Sequence, residues 1–125
     1  MNALNLARAA YGRPETPVRS ARRIEYDLFA RVTRDLSSAA ERKESDFPAL
    51  AAAIYENTRL WRTLAIDLAS DGNGLPQALR AQLFGLFQFS ADHGRKVLAD
   101  KADVAVLIDI NTAVMRGLRA EGDKA

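Results

Sequence analysis

The chain of 125 residues contains no cysteine, which excludes disulfide frameworks, zinc–thiolate sites and cysteine nucleophiles. Histidine is nearly as scarce. His93 is the only one, with no second ligand at metal-binding spacing and no local nucleophile beside it. It therefore reads as a polar residue on a helix surface. No apolar run approaches the roughly 20 residues that span a bilayer. The N-terminal stretch Met1 to Arg8 lacks the continuous apolar core of a secretory signal. A soluble, cytoplasmic chain is the expectation. An excess of one charge is missing as well: eighteen Lys and Arg against sixteen Asp and Glu leave +2. That is too little to argue for nucleic acid without a local patch. No glycine-rich phosphate loop follows a strand, and no paired carboxylates interrupt the apolar faces. The expectation is a protein that is not an enzyme and takes no cofactor or metal.

What is present is ordinary globular material, 48% hydrophobic and 27% charged. The length suits one domain, residues 1–125. Chain breakers fall at Gly12-Arg13-Pro14 through Pro17, at Ser45-Asp46-Phe47-Pro48, and at Ser70-Asp71-Gly72-Asn73-Gly74-Leu75-Pro76. A weaker break lies at Asp100 to Asp103, where Asp103 is placed to cap a last helix. Gly72-Asn73-Gly74 reads as a turn rather than a ligand loop.

Between the breakers the apolar spacing is helical. Phe47, Leu50, Ile54, Asn57, Trp61, Leu64 and Leu68 follow steps of three and four. Ile24, Leu28, Val32 and Leu36 recur every four residues, with Phe29 beside them. Leu79, Leu83, Leu86, Phe87, Ser90 and Val97 share one side of a further segment. Val104, Leu107, Ile108, Asn111, Val114, Met115 and Leu118 mark the last. No stretch alternates as a strand does. The reading is all-α: a compact antiparallel bundle of four longer helices near 18–43, 46–70, 76–100 and 103–119, plus a short N-terminal helix near 2–11.

Three sets of residues carry candidate roles. Asn57 and Asn111 fall inside apolar stripes, where an unpartnered amide costs on the order of 1–3 kcal/mol. They are either a structural pair setting register along the seam with Trp61 or polar anchors in a peptide groove. Phe84 and Phe89 project to either side of the core face of their helix, and Val106 and Ile110 lie opposite Ile108 and Met115. Such surplus apolar area meets either a second layer, including Leu4, Leu6 and Tyr11, or a partner. Arg13, Arg19, Arg22, Arg23, Arg31 and Arg34 crowd the first third, interleaved with Glu15, Glu25 and Asp27. They read as a solvated face with local ion pairs ahead of a phosphate-binding stripe.

The order and spacing of several blocks resemble the FlaF family. They begin with Asn5-Leu6-Ala7-Arg8-Ala9-Ala10-Tyr11 and run through Ile24-Glu25-Tyr26-Asp27-Leu28-Phe29-Ala30-Arg31-Val32-Thr33. The more specific parts are Glu56-Asn57-Thr58-Arg59-Leu60-Trp61 with Leu64 and Asp67-Leu68, Leu75-Pro76-Gln77-Ala78-Leu79-Arg80-Ala81, and Leu107-Ile108-Asp109-Ile110-Asn111-Thr112-Ala113-Val114-Met115-Arg116-Gly117-Leu118. The resemblance implies a part in flagellum assembly, binding flagellin as a secretion chaperone. No contact residues come with it, and Phe84, Phe89, Val106 and Ile110 are the first contact candidates only because they are apolar and lie off the helix seams. An alternative it also implies is post-transcriptional control of flagellin synthesis, acting with the companion regulator FlbT or on flagellin mRNA. No catalytic residues come with the family.

Overall fold

The computed structural model describes the backbone of residues 17–124 and the side chains of residues 26–117. Among these, four helices and no strand are found: α1 Pro17–Glu41, α2 Phe47–Leu68, α3 Gln77–Leu98 and α4 Ala105–Lys124. The expected helix near 2–11, with Leu4, Leu6 and Tyr11, lies outside the described residues.

Local chemistry sets the boundaries. Pro17 opens α1, where its fixed φ suits a first helical turn. Asp46 caps α2, its carboxylate accepting a hydrogen bond from Ala49 N at 3.2 Å, with Pro48 in the first turn. Asp103 does the same for α4, accepting from Ala105 N at 2.9 Å. At the end of α3, Asp100 takes a left-handed φ of 59°. Lys101 N then donates to Lys96 O and Asp100 N to Val97 O, the paired bonds that close a helix whose next residue turns left-handed.

Short connections fold the chain up and down. α1 packs against both α2 and α4, α2 also packs against α3, and the α3–α4 contact is the sparsest of the four. The centre at one end is Leu36, Ala39, Leu50, Ala53, Ile54, Val97 and Leu107. Farther along, Phe29 meets the Trp61 ring edge-on, with centroids 5.5 Å apart. Gly94 lets α3 approach α2 closely: a Cβ there would stand 3.0 Å from Ile54 Cγ2.

Two seam assignments are corrected. In α1 the buried stripe is Phe29, Val32, Leu36 and Ala39, and Leu28 is only half-buried. A strict step of four drifts about 40° per step from the helical period, so steps of three must intervene. In α2, Phe47 is exposed. It is the first residue of the helix, and burial begins one turn later at Leu50.

Candidate functional site

Trp61, Asn57 and Asn111 are all within 1% of complete burial, and they are joined. The Trp61 indole N–H donates to Asn111 Oδ1 at 3.0 Å. The Asn111 amide donates to Asn57 Oδ1 at 2.7 Å and to Thr33 Oγ1 at 3.2 Å. One knot thus ties α1, α2 and α4, and in a dry core such bonds demand one register. Within this knot the Asn57 amide nitrogen has no protein partner, and on α3 the buried Ser90 hydroxyl has none either.

α3 is packed unevenly. Its fully buried side is Ser90, Gly94 and Val97, all in its second half. Before Ser90, Leu79, Leu83, Leu86 and Phe87 are half-buried, while Phe84 and Phe89 are 39% and 48% exposed. Five residues apart on a helix, these two rings point about 140° from one another. Phe84 meets the edge of Phe87 with centroids 5.7 Å apart, and Phe89 stacks on the His93 imidazole at 5.4 Å. The structure therefore gives them two flanks of α3, not one patch. Val106 and Ile110 are half-buried, as Ile108 is.

His93 has a local task. Its Nε2 lies 2.8 Å from Asp103 O, at the start of α4, so it fastens α3 to α4 where the two helices meet. Arg31 and Arg34 are exposed, and the side chains of Arg13, Arg19, Arg22 and Arg23 lie outside the described residues. Lys43 Nζ donates to Asp100 Oδ1 at 2.9 Å and bridges two connections at the same end of the bundle. That bond holds the Asp100 carboxyl below the usual aspartate range and raises the Lys43 ammonium. Hydrogen bonding from Lys96, then Arg95, lowers Asp92 likewise.

One site was not anticipated from the sequence. At the turn between α2 and α3, Asp67 and Asn73 are buried, and the Asn73 amide donates to Asp67 Oδ2 at 2.9 Å. Asn73 Oδ1 accepts from Leu75 N at 3.1 Å, and Gly74 follows with φ +83°. The dipeptide Asn73-Gly74 signals the turn, as expected, but nothing in it signals that the asparagine faces inward. Among the described residues no group of three or more His, Asp and Glu is placed to hold a metal ion, and no helix is long and apolar enough to cross a membrane.

The model of a family described as flagellar protein FlaF matches residues 7–118. Neither the curated proteins nor the solved structures offer a match.

Proposed function

The chain belongs to the FlaF family of flagellar proteins, and on that premise we propose that it is a cytoplasmic, non-catalytic chaperone that holds flagellin and promotes its secretion and flagellum assembly. The observation that carries the reading is the stretch of α3 before Ser90. It offers Leu79, Leu83, Leu86 and Phe87 half-covered and Phe84 and Phe89 exposed. An amphipathic terminal segment of unpolymerised flagellin has an apolar face that needs such a surface, and helix-in-groove docking supplies it. Because a segment that folds on binding loses conformational freedom, its affinity stays moderate and release for export remains feasible.

The test is flagellin binding by purified protein, measured by calorimetry beside the melting temperature. Phe84 and Phe89 are already more than half covered, so covering the rest of either contributes about 0.6–1.4 kcal/mol. At least one of Phe84→Gln and Phe89→Gln, on the flank that the segment covers, should weaken binding about three- to tenfold with melting nearly unchanged. Unaltered affinity in both variants places the flagellin site elsewhere. Binding that collapses steeply with added salt would instead favour phosphate contacts, and with them the alternative of control on flagellin mRNA.

A further inference from the structure

We propose that Asn73 is a self-modification site: its side chain is deamidated by the neighbouring Gly74 amide whenever the α2–α3 turn opens, and the product cannot return to its buried position. The inference is independent of the flagellin reading. Of the five asparagines in the chain, only Asn73 precedes a glycine, and a residue without a side chain leaves its amide nitrogen unhindered. In the reaction the Gly74 nitrogen attacks Asn73 Cγ. The N–Cγ bond forms, the Cγ–Nδ2 bond breaks, and the Gly74 proton leaves with the nitrogen as ammonia. The resulting succinimide takes up one water at either carbonyl and opens to aspartate or isoaspartate. Nothing is oxidised or reduced, and water is the only co-reactant.

The closed turn opposes this chemistry at both ends of the carboxamide. The leaving nitrogen is held by Asp67 Oδ2 at 2.9 Å, and the oxygen is held by Leu75 N at 3.1 Å. Asn73 is only 5% exposed, so water is largely excluded too. Reaction therefore requires local opening, and its rate follows the open population.

The same contacts make the change one-way. Deamidation replaces a donor with an anionic oxygen facing Asp67, in a site where like charges repel strongly. Asp67 has no reserve for this, because its Oδ1 already lacks a partner. It also stands in the last turn of α2, where the helix end is itself negative. Isoaspartate adds a backbone atom between Asn73 and Gly74, which shifts Leu75 N out of register as well.

The experiment incubates the full chain, folded and in urea, at mildly alkaline pH. The Asn73 peptide is followed by mass spectrometry, with enzymatic methylation to count isoaspartate. The folded chain should react about tenfold or more slowly, and Asp67→Ala, which removes the acceptor, should bring the folded rate towards the unfolded one. Asn73→Asp, which mimics one product, should lower the melting temperature by several degrees. Combining it with Asp67→Asn restores one carboxylate facing one amide and should recover most of the loss. Equal rates in folded and unfolded wild type overturn the protection. An Asn73→Asp chain that melts like wild type, or a double variant no better than Asn73→Asp alone, overturns the charge argument.

Discussion

At the scale of single residues, Asn111 and Asn57 look alike in sequence and differ in structure. Asn111 takes part in three hydrogen bonds, to Trp61, Asn57 and Thr33, whereas Asn57 accepts one and its own amide has no partner. Asn111→Ala orphans groups on α1 and α2 together, so it should lower stability by more than Asn57→Ala, each by at least about 1 kcal/mol. Chemical denaturation of the two variants checks the order. Trp61→Ala removes a fully buried ring and should cost about 3–5 kcal/mol; the native tryptophan emission should be blue-shifted and move to a solvent-like maximum on unfolding. The Lys43–Asp100 bond sets a pH window. Asp100, lowered in the fold, contributes stability above the ordinary carboxylate range, lost as pH falls through its folded value. Lys43, raised in the fold, contributes below the ordinary lysine value of 10.5, and this is lost as pH rises through its folded value. In Lys43→Gln, the carboxyl of Asp100 should titrate in the ordinary aspartate range by NMR. Asn57 and Asn111 were legible because an amide stands out inside an apolar stripe. Asp67 was not, because a lone carboxylate near a helix end reads as solvated until the turn is seen to fold over it.

At the scale of elements, the breaks between helices were legible because each carries its own chemistry, Asp46 with Pro48, Asn73 with Gly74 and Pro76, and Asp103, whereas the last helix runs on to Lys124, past its expected end near 119. The face that each helix buries was less legible. A step of four suggested Leu28 where the fold uses Phe29, since spacing alone leaves a stripe uncertain by about one residue in azimuth. Glycine shows the same dependence on neighbours. Gly85 and Gly94 both lie inside α3, but a Cβ at Gly85 would meet nothing within 4 Å, and one at Gly94 would press on Ile54 Cγ2. Gly85→Ala should therefore stabilise by about 0.5–1 kcal/mol. Gly94→Ala gains the same propensity but strains a packed contact, so it should be destabilising. Thermal melts of the pair separate propensity from packing.

At the scale of the whole molecule, all-α architecture was legible from periodicity, but the uneven packing of α3 was not, because it depends on which neighbours reach it. Phe84 and Phe89 were singled out as surplus and are exposed; Val106 and Ile110 were singled out by the same wheel and are half-buried. Val106→Gln and Ile110→Gln should accordingly lower the melting temperature, whereas Phe84→Gln and Phe89→Gln should leave it nearly unchanged; one set of calorimetric scans compares all four. The sparse meeting of α3 with α4 has a further consequence for the protein in motion. α1, α2 and α4 are bound into one unit by the Asn111 knot, while α3 packs on α2 and meets α4 more sparsely, with His93 reaching Asp103 O. Amide protons in the first half of α3 should therefore exchange with solvent ahead of those in α2 around Trp61, reporting a partial opening in which one helix swings free while the other three stay folded.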